Sequence, residues 1–264
     1  MTKQIALIGG DRPSGTIAAP ELESLVGDDA RLIAYPSRIG AFPYTPLEML
    51  LLEVGHADAA FTAVSEGCQA LVIDSVGDYG LAAMRASLPV PALGAGEAGM
   101  SAAASTGRRF AIVTVWPATM NFILEGRLRA YGHSGACTGV FNIGTENDVS
   151  RASIPAAYLS RIRDGHRSVL DAASNAIATA VSGGAEAVML GCTCMSGVAA
   201  KLAANAAVPV INPLAAAVAA AERAGPIVAP KVRDGREEML RAMVEAVATD
   251  IAEACPVCIA EPQT

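Results

Sequence analysis

Cys192 lies in the stretch LGCTCMSG, residues 190–197. It follows the apolar run Ala187-Val188-Met189-Leu190 and Gly191, and precedes a small-residue segment of helical character, Met195 to Asn205. That order predicts a thiol at the carboxyl end of a buried strand and the start of a helix. Backbone N–H groups at a helix start lack intrahelical partners and carry partial positive charge. Both favour thiolate over thiol, and the thiolate is the reactive form. A thiol there can act as a nucleophile or move a proton. A free cysteine also serves as a small core hydrophobe, and spacing alone does not separate the two roles.

A second copy of the stretch supplies a counterpart. CQALVIDS (68–75) matches AEAVMLGC (185–192) at an offset of 117 residues. QIALIGG (4–10) matches RFAIVTV (109–115) at an offset of 105, and PALGAGEAGMSAA (91–103) matches PVINPLAAAVAAA (209–221) at 118. Each match keeps a strand and a small-residue turn. The growth of 12 between the first and second offsets assigns extra residues to the second half, in a loop over Phe141–Pro155. Two α/β halves related by a pseudo-twofold are the economical reading. The alignment sets Ser75 opposite Cys192. Ligands of open parallel sheets bind at the carboxyl ends of strands, so the halves are expected to bring both residues to opposite walls of one cleft.

The elements that carry these turns alternate between strand and helix. Strands are expected at Gln4–Gly9, Arg31–Tyr35, Ala70–Ile73, Val90–Leu93 and Arg109–Val115. Helices are expected at Leu47–Cys68, Tyr79–Leu88 and Glu97–Ser105. Several strands are continuous apolar runs, which marks parallel sheets covered on both faces. The fold class is therefore α/β: two pseudo-symmetric domains, each a short parallel sheet flanked by helices, with an interdomain active-site cleft. The first half covers 1–98, completed by 212–264, and the second covers 99–211.

Composition removes several classes of partner. Of 264 residues 52% are hydrophobic and 17% charged, and the net charge is −7. An acidic chain does not present a nucleic-acid or anionic-membrane surface. The opening MTKQIALIGG has too short an apolar run for a signal peptide, and the longest apolar stretch, 206–221, is broken by Pro209, Asn212 and Pro213. A cytoplasmic location without membrane contact is expected. The six cysteines read as thiols rather than a disulfide framework. Cys255-Pro-Val-Cys258 has CxxC spacing, but it follows a helix in a tail, and pairing it with Cys192 and Cys194 for zinc is disfavoured. His56, His133 and His166 have no ligand spacing and read as surface or loop residues, so no metal is expected. Residues 94–99 form GAGEAG, a formal GxGxxG. The acidic residue expected at the next strand end is missing, since that strand ends Thr114-Val115-Trp116, so close helix–strand packing explains the glycines and no cofactor is expected.

These stretches resemble a known family. LGCTCMSG is similar to the second catalytic motif of the aspartate/glutamate/hydantoin racemase superfamily. VIDSVGDYGL (72–81), PALGAGEAGMSAA and GRRFAIVT (107–114) look like its hydantoin and allantoin racemase branch. The resemblance spans Gln4 to Gly225. It implies a cofactor-independent isomerase in which two cysteines, one from each half, flank the substrate Cα: one thiolate removes the α-proton and the opposite thiol returns one. Carried over, the catalytic residues are Cys192 and, opposite it, Ser75. The serine departs from the family pattern, because a hydroxyl is a far weaker acid than a thiol. Three explanations are open: an enzyme needing one acid/base, a substrate acidic enough for a hydroxyl or water, or a serine introduced in place of a thiol. The resemblance implies a racemase of a hydantoin-like or amino-acid-like substrate. The alternatives are a single-Cys decarboxylase of the arylmalonate type, a maleate-type cis-trans isomerase, and a non-catalytic ligand-binding homologue.

Substrate donors are expected from the backbone N–H groups of Val76, Gly77, Thr193 and Cys194, with the Thr193 hydroxyl. Asp11 and Thr114 follow the first strands of their halves and are expected to line the same cleft, though helix capping or a loop role suits each as well. Asp78 fits a helix N-cap at least as well as an acid/base role. The partner is a small-molecule carboxylate or hydantoin, and the sequence leaves room for a homo-oligomer.

Overall fold

A computed structural model describes residues 2–10, 14–16, 20–106, 109–149, 156–228 and 236–254. Asp11, Cys255 and Cys258 lie outside the described residues. In chain order come β1 (Lys3–Ile8), β2 (Gly15–Thr16), α1 (Pro20–Glu23), β3 (Ala30–Tyr35), α2 (Pro46–Ser65), β4 (Ala70–Ile73), α3 (Leu81–Ser87) and β5 (Ala92–Gly94). Then follow α4 (Ala95–Thr106), β6 (Phe110–Thr114), α5 (Asn121–Ala130), β7 (Cys137–Asn142), α6 (Ala156–Arg163) and α7 (Arg167–Ser182). The chain continues through β8 (Ala187–Leu190), α8 (Ala199–Ala204), β9 (Val210–Ile211), α9 (Pro213–Arg223) and α10 (Arg236–Ala254). Two 3-10 helices, Ala118–Met120 and Thr193–Val198, sit at strand-end turns. Among the described residues no helix is long and apolar enough to cross a membrane.

The chain forms two compact units. One comprises residues 1–74, 78–94 and 218–264, the other 75–77 and 95–217. The first holds a sheet in the order β2-β3-β1-β4-β5, in which only the short edge strand β2 is antiparallel. The second holds an all-parallel sheet, β7-β6-β8-β9. With β2 set aside, the two orders correspond strand for strand. The repeat read in the sequence is thus reproduced in the topology, with β1 matching β6 and β4 matching β8. The extra length of the second half is a helix: α6 and α7 both lie between β7 and β8, where α2 alone joins β3 to β4. Phe141 and Asn142 complete β7 and are not part of the expected loop.

Both faces of the second sheet are buried. Ala111, Val113, Val188 and Leu190 pack in one cluster with Val169, Ala173 and Ile177 of α7. Phe110, Ile112, Ala187 and Met189 pack in another with Met100 and Ala103 of α4 and Leu124 and Leu128 of α5. Two-sided cover is why these strands read as unbroken apolar runs. In the first unit Ala6, Ile8, Leu71 and Ile73 pack under Ala59, Ala60 and Ala63 of α2 and Leu81 and Met84 of α3. Alanines on α2 let it approach the sheet closely. The helix opens with Pro46, and the Glu48 carboxylate accepts from the Thr45 N–H at 2.7 Å. Arg38 grips the buried Asp58 of α2 with two N–H groups, at 2.8 and 2.6 Å, and reaches Thr249 of α10 at 2.9 Å. The Lys3 ammonium donates to the carbonyls of Ala221, Glu222 and Ala224 at 2.7, 2.9 and 2.5 Å, closing the end of α9.

One histidine departs from expectation. His56 lies within α2 at 3% exposure, and is neither a surface nor a loop residue. Its ring fills the space where Gly9 would carry a side chain and meets Tyr79 edge-on at 5.5 Å. Burial pushes its pKa down from the ordinary 6.5 to about 4, and its Nδ1 has no hydrogen-bond partner among the described residues. In the unfolded chain the imidazole takes a proton near pH 6.5, while in the folded chain it resists until near pH 4. Stability tied to His56 is therefore present above pH 6.5 and is lost as pH falls toward 4. The full difference is about 3 kcal/mol. Urea unfolding of the wild type and His56→Gln at pH 7 and pH 4.5 checks this. The variant's stability should fall less between the two, by about 2 kcal/mol, and equal slopes would reject the assignment.

Candidate active site

Thr114 ends β6, Leu190 ends β8, and Gly191 follows between them. A Cβ on Gly191 would lie 2.5 Å from Thr114 Cβ and 2.9 Å from Ile112 Cγ2, so only glycine fits. The Thr114 hydroxyl donates to the Gly191 carbonyl at 3.2 Å and accepts from the Trp116 N–H at 3.4 Å. Thr114 is 1% exposed, so its observed contacts hold the turn from below. Cys192 emerges from that turn at 7% exposure, packed with Val115, Met195 and Tyr158 in the core cluster.

The segment after Cys192 differs from the expected α-helix. Thr193–Val198 is a 3-10 helix, and α8 begins only at Ala199. Cys192 caps it: its sulfur accepts from the Cys194 N–H at 3.1 Å, and its carbonyl accepts from Met195 N–H at 3.2 Å. An N–H aimed at a sulfur stabilises negative charge on it. Against the expectation that all six cysteines are thiols, the Cys192 and Cys194 sulfurs, two residues apart, are joined as a disulfide in this structure. Thr193, between them, is buried at 7% exposure, and Cys194 is half-buried.

The turn after β4 has the same local form. The Ser75 hydroxyl oxygen accepts from the Gly77 N–H at 3.1 Å. In both turns the residue two past the strand presents a side-chain acceptor to the N–H two residues on, as such short polar side chains do. Gly77 and Cys194, expected to turn their N–H groups on a substrate, thus direct them at Ser75 and Cys192. Ser75 to Gly77 belongs to the second unit, and Val76, 7% exposed, packs with Met100, Phe110, Ile112 and Met189. The structure therefore gathers Ser75, Val76, Gly77, Thr114, Cys192, Thr193 and Cys194 in one compact unit. Asp78 does not cap α3, whose N-cap is Gly80; its carboxylate lies where Gly94 would carry a side chain. Gly99, within the GxGxxG, lets α4 approach Met189 and Pro213, which is a packing role.

Asn212, read in the sequence only as a break in an apolar stretch, has a role that reading missed. Its amide nitrogen donates to Ser196 Oγ at 2.8 Å, and its carbonyl oxygen accepts from Leu214 and Ala215 N–H at 3.1 and 3.3 Å. It caps α9 and at the same time fastens the 3-10 helix that follows Cys192. An asparagine directly before a proline that opens a helix was the available signal.

Cys68 stands apart from these turns. It precedes β4, is buried, and its thiol contacts the Tyr35 hydroxyl at 3.6 Å. Among the described residues no cluster of three or more metal-ligating side chains occurs.

Residues 52–221 match the model of the Asp/Glu/hydantoin racemase family. The chain belongs to that family. It is 30% identical over 154 residues to a hydantoin racemase of Paenarthrobacter aurescens, covering 58% of this chain and 60% of that protein. It is 32% identical over 178 residues to a hydantoin racemase of Rhizobium meliloti, covering 66% and 64%. The matches span less than two thirds of either relative's length. Among solved structures, the allantoin racemase from Klebsiella pneumoniae shares the fold with a TM-score of 0.70 at 24% identity, over 84% of this chain and 86% of that one.

The Gly191 turn gives a direct test of how Cys192 is held. Gly191→Ala should cost about 1–3 kcal/mol through overpacking against Thr114. Thr114→Val, which leaves the Gly191 carbonyl without its donor, should cost about 1 kcal/mol. Urea unfolding measures both, and a Gly191→Ala protein as stable as wild type would overturn the packing argument.

Proposed function

We propose that this chain is a cofactor-independent racemase of a hydantoin-like or amino-acid-like substrate, with Cys192 as the principal acid/base and Ser75 opposite it. The observation that carries the reading is the repeated strand-end turn. Ser75 and Cys192 occupy corresponding places after β4 and β8, each with an N–H on its side-chain acceptor. Family membership and the hydantoin racemase relatives support the substrate class.

The chemistry follows from the two groups. In the reduced state the Cys192 thiolate takes the α-proton, and the electron pair moves into the adjacent carbonyl as an enolate. The backbone N–H groups of Val76 and Thr193, each next in the chain to one of the two proposed residues, are proposed as its donors. Return of the proton from Cys192 restores the starting enantiomer. Inversion needs a proton on the opposite face, from the Ser75 hydroxyl or a water it holds. The Ser75 oxygen accepts from Gly77, which leaves its own proton to donate. A hydroxyl is a poor acid, so the two faces are unequal, and exchange of the α-proton should outrun inversion.

That inequality favours a second reading. Decarboxylation of a malonate needs protonation on one face only, which a single thiol supplies. Incubation of hydantoins, amino acids and malonates in D₂O separates the two. α-Proton exchange by NMR with slower loss of optical rotation is expected from a hydantoin, and carbon dioxide release from a malonate would replace the racemase by the decarboxylase. Cys192→Ala should lower exchange by about 10²–10⁴-fold, and Ser75→Cys should raise inversion relative to exchange. A Cys192→Ala protein with full activity would reject both readings. Ligand-induced thermal stabilisation without any reaction would mark a binding protein.

A further inference from the structure

We propose that Cys194 is a resolving thiol, and that Cys192 and Cys194 form a reversible disulfide that switches the site off. The inference about activity rests on the proposed role of Cys192; the chemistry of the pair does not. Thr193 alone separates the two cysteines. Their Cα atoms are 5.2 Å apart, inside the span of about 4.4–6.8 Å that disulfides bridge. The backbone itself brings them together, since the Cys194 N–H lies on the Cys192 sulfur at 3.1 Å.

The turn is fastened on both sides. Thr114 holds the Gly191 carbonyl before it, and Asn212 holds Ser196 after it. The bond is accommodated with the 3-10 helix Thr193–Val198 intact. No such pair exists across the corresponding turn, where the same two positions are Ser75 and Gly77. Oxidation at Cys192 therefore removes the thiol of the two proposed catalytic positions. The other described thiols, Cys68 and Cys137, have no cysteine two residues away. Burial pushes both Cys68 and Cys137 up, which keeps them protonated.

A hydroperoxide is the oxidant class. The Cys192 thiolate attacks one peroxide oxygen, the S–O bond forms, the O–O bond breaks and an alcohol or water leaves. The sulfur, oxidised by two electrons, is now a sulfenic acid. The Cys194 thiol attacks that sulfur, the S–S bond forms, and the S–O bond breaks with loss of water. A dithiol returns two electrons and two protons and restores both thiols. In the disulfide neither sulfur can take or give an α-proton. Cys194 also captures the sulfenic acid before further, irreversible oxidation.

The test uses the full chain, reduced and then freed of reductant. Hydrogen peroxide is added, free thiols are trapped by alkylation under denaturing conditions, and the tryptic peptide 168–201 is weighed. The expected result is loss of two hydrogens from that peptide without alkylation, reversed by dithiothreitol. α-Proton exchange should fall and return in parallel. In Cys194→Gly, prolonged peroxide should carry Cys192 past the sulfenic acid to the sulfinic acid, two oxygens heavier, so that exchange falls and does not return with dithiothreitol, each protein being compared with its own starting rate. The proposal is overturned if Cys192 and Cys194 are both alkylated after peroxide, if Cys192 pairs with another cysteine, or if Cys194→Gly recovers like wild type. A reversible disulfide in a protein without exchange on any substrate would uphold the pair and reject the racemase reading. Exchange that persists while both cysteines are alkylated would do the reverse.

Discussion

At Gly191 two strands come too close for a side chain. That single exclusion sets where β8 stops, and the hydroxyl of Thr114 on β6 holds the last carbonyl in place. The Cys192 side of the candidate site is hung on this point. Cys192 leaves the core at a fixed angle because the residue before it cannot move away from β6. The 3-10 helix beyond is fixed in turn by Asn212, which directly follows β9. Three neighbouring strands of one sheet thereby determine the position of one sulfur. Such a site tolerates little error, since side chains that move protons must be held to within a fraction of an ångström of their working positions.

The two halves keep a backbone pattern while changing its chemistry. After β4 and β8 the same N–H meets the same kind of side-chain acceptor, once on oxygen and once on sulfur. The hydrogen bond is indifferent to which atom accepts. Proton transfer is not, because the two groups differ greatly in acidity. One backbone turn can therefore carry side chains of very different acidity without changing its form.

The α/β class, the strand repeat and the Ser75–Cys192 correspondence were legible because they rest on local signals. Apolar runs of four to six residues, closed by glycines, survive in sequence as periodicity and offset. Element ends were less legible: Tyr79 and Gly80 form a turn before α3, and α2 stops at Ser65 and not at Cys68. Contacts between distant residues were invisible. Nothing around His56 in the sequence announces that Gly9 and Tyr79 will enclose it, and Asn212 meets Ser196 only after β9 is laid beside β8. The form of the helix after Cys192 was also hidden. Small residues allow both α and 3-10 geometry, and Thr193–Val198 takes the 3-10 form with the Cys192 sulfur at its N-cap.

The Lys3 ammonium has a consequence for how the chain is made. Its three carbonyl partners lie 218 to 221 residues downstream. The strand β1 thus receives these partners only after 221 further residues have been made. The second unit, apart from its three-residue segment at 75–77, is a continuous stretch inside the first. A ribosome emits that inner stretch whole before the outer one can close. The unit that begins first is therefore finished last, and its opening segment must wait for a carbonyl cluster not yet translated.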